Sequence, residues 1–242
     1  MDTETEWRGM TLWFAAQEGR ADDVAALLPE LRVCARRTPR WMEMAAEVTA
    51  YNDHADAVRA IVERCPHTLE KAMRRAAEGG SLRAIEALVP FTANHPATLG
   101  RALRVAGIRG ETAAARLLLS AIVEVDDTTF HSSPILQHVI SSSCCVETIK
   151  TLLSAKAAVN SGGVHTNVYL AASARRADVI QVLVDAKADV DECATPGGLS
   201  PLSKATSDGA LDVMQVLVDA KADVDRASSI YARALAGDHA GE

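Results

Sequence analysis

The eleven residues QVLVDAKADVD stand at 181–191 and again, letter for letter, at 215–225, 34 positions later. A phrase copied at fixed spacing restricts the fold more than any composition could, because the two copies must fill equivalent places in a repeated unit. Each copy closes a longer unit: TNVYLAASARRADVIQVLVDAKADVD (166–191) and SPLSKATSDGALDVMQVLVDAKADVD (200–225). A third unit, SPILQHVISSSCCVETIKTLLSAKAAVN (133–160), has the same outline with two extra residues at its internal turn. An apolar anchor recurs along the whole chain as VAALL (24–28), VRAIV (58–62), IEALV (85–89), AARLL (114–118), IKTLL (149–153), IQVLV (180–184) and MQVLV (214–218). Successive anchors start 34, 27, 29, 35, 31 and 34 residues apart. In most units a small pair lies nine residues ahead of the anchor: Ala15-Ala16, Ala76-Ala77, Ala171-Ala172 and Ala205-Thr206.

Each unit reads as two helices and a turn. Ser200 can cap the first helix through its hydroxyl, and Pro201 just after it gives up no needed N–H. Ser133-Pro134-Ile135 repeats that lead-in. Leu202, Ala205 and Thr206 follow at i, i+3 and i+4, the spacing of a packing face. Gly209 or Gly19 then supplies a turn in which a left-handed conformation costs nothing. Asp178 or Asp212 puts negative charge at the start of the second helix, where the helix dipole favours it. Val213 and Leu217 begin the second apolar stripe. A unit this short cannot bury its stripes alone, so neighbours must stack.

Ser-Pro-Leu at 200–202, the alanine pair, the glycine turn, Asp-Val and Lys-Ala-Asp-Val-Asp at 221–225 resemble the ankyrin repeat, with its 33-residue period and T-P-L-H-x-A first helix. Asn52-Asp53-His54 is similar to that family's Asn-Gly-His turn with the glycine replaced. The resemblance is close over 133–225 and degenerate over 10–125. It implies an all-α solenoid of stacked helix-turn-helix repeats with short finger or hairpin loops, running over 1–242 as a single domain. Regular repeats would occupy 126–225, and 226–242 would form a C-terminal capping helix or a truncated repeat. Two departures stand out. Lys156, Lys187 and Lys221 occupy a left-handed position that the family gives to glycine. Pro29, Pro66 and Pro90 follow their second helices closely, which implies abrupt stops without an extended finger.

The rest of the sequence argues mainly by exclusion. With 48% hydrophobic but only 4% aromatic residues, the core must be aliphatic. The net charge is −7 and unevenly placed: residues 1–120 carry 16 basic and 16 acidic residues, residues 121–242 carry 9 and 16. An acidic chain is a poor candidate for nucleic acid, where affinity rests on neutralising phosphates. The basic run RVCARRTPR (32–40) reads as a solvated face. No apolar stretch approaches the ~20 residues of a membrane-spanning helix. MDTETEWRGM does not resemble a secretory signal. Five cysteines without C-x-x-C spacing argue against a disulfide framework or structural zinc and for a reducing, cytoplasmic setting.

Chemistry finds little support. Cys144-Cys145, with His131 and His138 upstream, is the most suggestive cluster, but adjacent cysteines diverge in helix or strand. Asp189/Asp191 and Asp223/Asp225 read as a solvated finger edge. SGGV (161–164) and PGGL (196–199) open no phosphate-binding loop. Trp7, Trp13 and Trp41 read as packing or capping residues. No cofactor, no metal and no enzymatic activity are expected.

The family resemblance implies instead a protein partner on the concave side, held by finger tips and exposed first-helix positions. Carried over position by position, that surface comprises His165, Ser173 and Ala174 in one unit and Pro196, Gly197, Leu199, Ser207 and Asp208 in the next. Tyr169 replaces the family's first-helix histidine. Gln17, Glu18, Tyr51, Asn52 and Glu78 hold comparable positions in the first half. The acidic second half suits a partner of basic character. Two forms of this function stand open: a reversible adapter or scaffold that is otherwise a monomer, and a permanent subunit of a larger hetero-complex.

Overall fold

The structure is a computed structural model, described here for residues 3–30, 40–93, 95–122, 134–142, 145–160, 165–193 and 199–225. The described residues form fourteen α-helices and no strand. The chain falls into two compact units, Met1–Val125 and Asp126–Glu242.

The first unit contains α1 (Thr3–Gln17), α2 (Ala21–Leu27), α3 (Arg40–Tyr51), α4 (Ala55–Arg64), α5 (Leu69–Gly79), α6 (Leu82–Leu88), α7 (Pro96–Arg109) and α8 (Thr112–Ala121). Consecutive helices pair as hairpins, and the hairpins stack in two rows: α1, α3, α5, α7 in one and α2, α4, α6, α8 in the other. The second unit repeats this arrangement. Its first helices are α9 (Ile135–Ser141), α11 (Asn167–Ser173) and α13 (Pro201–Ser207); its second helices are α10 (Val146–Ser154), α12 (Ala177–Asp185) and α14 (Leu211–Asp219).

The small pairs explain the close stacking. Ala15, Ala16, Ala76, Ala77, Ala171 and Ala172 are all inaccessible, as are the anchor residues Val24, Val58, Ile61, Ile85, Leu88, Ile180 and Leu183. Thr206 does not join this face. It is exposed, and its hydroxyl donates to the Leu202 carbonyl at 2.8 Å, so only Leu202 and Ala205 of the expected stripe are buried.

Nearly every hairpin turns through one left-handed residue, at Gly19, Asp53, Gly80, Gly110, Arg175 and Gly209. The geometry is the Schellman motif: Gly19 N–H donates to Ala16 O and Arg20 N–H to Ala15 O, and Gly209 and Ala210 pair likewise with Thr206 and Ala205. Gly19 is also constrained by a close neighbour, since a Cβ there would lie 2.5 Å from the His54 ring. Neighbouring turns are tied together. Ser81 Oγ donates to Tyr51 O at the end of α3 (2.8 Å), and Ala84 N–H in the first turn of α6 donates to Asp53 Oδ1 (2.8 Å). Each hairpin therefore satisfies groups that the adjacent helix end leaves unpaired.

Second helices end in two ways. In the first unit, short 3₁₀ turns at Leu28–Glu30, Pro66–Thr68 and Val89–Thr92 stop them abruptly, as Pro29, Pro66 and Pro90 predicted. In the second unit they end at Lys156, Lys187 and Lys221, left-handed at φ 64°, 67° and 65°, as the departure from glycine implied. The tails that follow bind one another: Asp189 N–H donates to Asn160 Oδ1 (3.0 Å), and Asp223 N–H to Asp191 Oδ1 (2.9 Å). Asp189 Oδ1 and Asp223 Oδ1 accept from Asp191 N and Asp225 N within their own tails. This ladder is why the phrase is repeated: one carboxylate shapes its own tail, and the next reaches the following repeat.

At the helix starts, Ser200 Oγ accepts from Ser203 N (3.1 Å) as expected, and Thr166 Oγ1 accepts from Tyr169 N (3.2 Å). In α9 the N-cap is Pro134 rather than Ser133, which lies outside the described residues. Residues 226–242 also lie outside them.

Candidate partner-binding surface

Each first helix buries one side in the stack and leaves the other exposed. Ser173 ends α11, with Ala174 in the turn beyond it; Ser207 and Asp208 are their counterparts on α13, which packs against α11. The structure brings these four together. Arg175 Nη2 donates to Asp208 O at 3.1 Å, so the two turns are joined directly. Ser207 is exposed and Ala174 half-buried; Ser173 Oγ is shielded from solvent without a hydrogen-bond partner. Asp208 is partly committed elsewhere, its carboxylate 2.8 Å from Lys204 Nζ.

His165 and Leu199 sit at the other end of the same helices, about 10 Å away along a seven-residue helix. Both are exposed. His165 stacks on Tyr169 with ring centroids 4.9 Å apart, and its carbonyl accepts from Gln137 Nε2 at 2.8 Å. Tyr169 thus keeps a structural role next to the surface. Pro196 and Gly197 fall outside the described residues. The expected set is therefore two patches, a turn patch and a lead-in patch, separated by the length of α11 and α13.

In the first unit Gln17, Glu18, Tyr51 and Asn52 are exposed at the ends of α1 and α3, and Glu78 is half-buried on α5. The sequence reading missed what surrounds them. Glu43 pairs with Lys71 (2.5 Å) and Glu47 with Arg75 (3.1 Å) between α3 and α5. Glu70 pairs with Arg101 (2.5 Å) and Glu78 with Arg109 between α5 and α7. Arg75 also reaches Glu78 (2.7 Å) and lies 5.8 Å from the centre of the Tyr51 ring. The hydrogen bond from Arg75, helped by Arg109, holds the Glu78 carboxyl below its ordinary range, and the same bond raises Arg75.

The suggestive chemistry disperses. Cys144 and His131 lie outside the described residues. Cys145 Sγ is 3.2 Å from Thr148 Oγ1, and His138 Nδ1 is 3.3 Å from Pro134 O. Burial raises the thiol of Cys65, which Arg64 only partly offsets. Glu192 is raised first by burial and then by Asp189. Among the described residues no group of three or more His, Cys, Asp or Glu side chains is placed to hold a metal ion, and no helix is long and apolar enough to cross a membrane. Trp41 packs over Gly9, where an added Cβ would meet the ring at 2.8 Å, whereas Trp7 is exposed rather than packed.

Stacked helical hairpins with short turns and an open first-helix face define an ankyrin-repeat fold. Residues 136–228 match the family model for ankyrin repeats as three copies, and this part of the chain is ankyrin repeats. The chain is similar to the crystal structure of the human ASB11 ankyrin repeat domain, with 22% identity and a TM-score of 0.68 over 88% of this chain and 98% of that one. It is also similar to the ankyrin repeat domain of Bcl-3, described as a unique member of the IkappaB protein family, with 20% identity and a TM-score of 0.64 over 84% of this chain and 97% of that one. No curated protein matches the chain. Ankyrin repeats are generally protein–protein interaction modules and typically non-catalytic.

Proposed function

We propose that the chain is a non-catalytic adapter or scaffold that binds a protein partner on its first-helix face, in a reducing, cytoplasmic setting. The observation that carries this reading is where the repeats differ. The second helices and tails at 181–191 and 215–225 are identical, whereas the first helices read NVYLAAS and PLSKATS. Sequence is held fixed where α12 and α14 stack, and it varies at Tyr169/Ser203, Leu170/Lys204 and Ala172/Thr206. A rigid stack that varies on one face loses little ordering entropy when a partner settles there.

The turn patch of Ser173, Ala174, Ser207 and Asp208 forms one contact area, and His165 and Leu199, with Pro196 and Gly197, form the other. The acidic tails favour a partner that is basic where it meets them. The test is a pull-down with the full chain against its Ser207→Arg/Asp208→Arg variant. Partner recovery should fall while circular dichroism stays helical; undiminished recovery would place the groove elsewhere.

A permanent-subunit form of the same reading is favoured by exposed apolar residues on the first unit, including Trp7, Met10 and Phe14, because obligate interfaces are more apolar. Purification from the native source at moderate salt separates the two. Co-migration in a large complex supports the subunit, and a free monomer supports the adapter.

A further inference from the structure

We infer that the first unit carries a second docking face, on α1, α3, α5 and α7, that takes an acidic amphipathic helix from another protein. The inference rests on the protein-binding reading above but concerns different residues and the opposite charge.

On α1 the core side is Gly9, Leu12, Ala15 and Ala16; the opposite side presents Trp7, Met10 and Phe14, which are 70%, 53% and 50% exposed. Met44 and Tyr51 continue the apolar surface on α3, 44% and 50% exposed. The terminal helix of a repeat stack ordinarily shows solvent a polar side, so this side is shaped for contact. Moving along the row, the outward positions become basic: Lys71, Arg74 and Arg75 on α5, Arg101 and Arg104 on α7. Together α3, α5 and α7 hold seven basic and four acidic residues, a surplus of three in a chain whose net charge is −7. All four glutamates are already paired with Lys or Arg of this face, so the surplus is positive charge offered outward.

Charge complementarity therefore selects an acidic occupant. The form of the occupant follows from the backbone. Among the described residues there is no strand, and helices satisfy their own N–H and C=O groups, so an extended peptide would find no edge to pair with. Recognition must pass through side chains, and Trp7, Met10 and Phe14 lie at i, i+3 and i+7, the spacing that matches another helix. Leucines on one side of the partner helix would cover these three and Met44, and its carboxylates would face Lys71, Arg74 and Arg101.

The test uses the full chain and a synthetic amphipathic peptide of about five helical turns, with leucine on one side and glutamate on the other. An otherwise identical peptide carries lysine for glutamate. All three tryptophans, Trp7, Trp13 and Trp41, lie in this unit, so binding at the face shifts the protein's own tryptophan emission. The acidic peptide should bind and shift the emission to the blue, the basic one should bind at least about tenfold more weakly, and added salt should weaken the acidic complex. Peptide anisotropy should show a loss of about tenfold or more in Trp7→Ser/Phe14→Ser. Arg74→Glu, at an exposed side chain outside the core, should weaken binding with the aromatic residues untouched. Equal or tighter binding of the basic peptide, or acidic binding indifferent to both variants, overturns the proposal. So does self-association of the chain that disappears in Trp7→Ser/Phe14→Ser, since a second copy would then own the face. Ser207→Arg/Asp208→Arg leaves this face intact and should keep full peptide binding, so the two readings fail separately.

Discussion

Among single residues the left-handed positions are the most instructive, because the same backbone conformation is reached for different reasons. Lys187 sits at φ 67°, and among the described residues no hydrogen bond of its side chain accounts for the choice. A non-glycine residue there costs on the order of 1 kcal/mol, partly offset by the chain entropy that glycine loses. Lys187→Gly should therefore raise the melting temperature slightly; a lowered value would contradict the assignment. Asp53, at φ 61°, behaves oppositely. Aspartate tolerates this region better than lysine, and its carboxylate accepts the Ala84 N–H of α6. Losing such a cap costs about 0.5–2 kcal/mol, so Asp53→Gly should lower the melting temperature. Both positions were legible in the sequence, as lysine or aspartate standing where the ankyrin pattern has glycine. Arg175 was not, because nothing local in Ala-Arg-Arg-Ala distinguishes the residue that turns from the one that follows.

Whole helices were the most readable part, since the anchors and small pairs follow the helical period that burial imposes. Their caps were partly so: Ser200 was found and Thr166 was missed, although each accepts the N–H three residues on. Ser200→Ala should destabilise the second unit by about 1 kcal/mol, seen as a lower urea midpoint by circular dichroism. Thr206 misled because the spacing of a face does not separate a buried edge from an exposed one. The ion pairs between helices went unread for another reason. Glu43–Lys71 and Glu47–Arg75 are 28 residues apart, and Glu70–Arg101 and Glu78–Arg109 are 31 apart. Opposite charges one local repeat apart are the signal, but it appears only once the repeat lengths are known. Through these pairs Glu47, Arg75, Glu78 and Arg109 link α3, α5 and α7. Because Arg75 holds the Glu78 carboxyl below its ordinary value, the contribution of Glu78 is present above the ordinary glutamate range. It is lost as pH falls through the depressed value. Glu78→Gln should melt lower than the parent at neutral pH, and the gap should close on acidification; a gap that widens in acid would refute the linkage.

Over the whole chain, the two halves use one construction principle with different joints. The second unit closes each repeat with a tail that binds the next tail, and its near-identical sequence is what made the fold recognisable. The first unit replaces those tails with proline-led 3₁₀ turns and charge pairs, which leave almost no repeated letters behind. Degeneracy of sequence there records a change of joint, not a loss of the stack. The boundary between the units, after Val125, falls within the widest anchor spacing, 35 residues, beside Glu124, Asp126 and Asp127. Four hairpins with buried anchors exceed the roughly three repeats that such a stack needs for stability. Each joint described for the first unit, from Asp53–Ala84 to Glu78–Arg109, is also internal to it. Residues 1–125 produced alone should therefore be helical and melt cooperatively, with tryptophan emission and circular dichroism giving the same midpoint. A broad, uncooperative melt would mean that these turns and ion pairs cannot hold the stack without the tail-bound repeats.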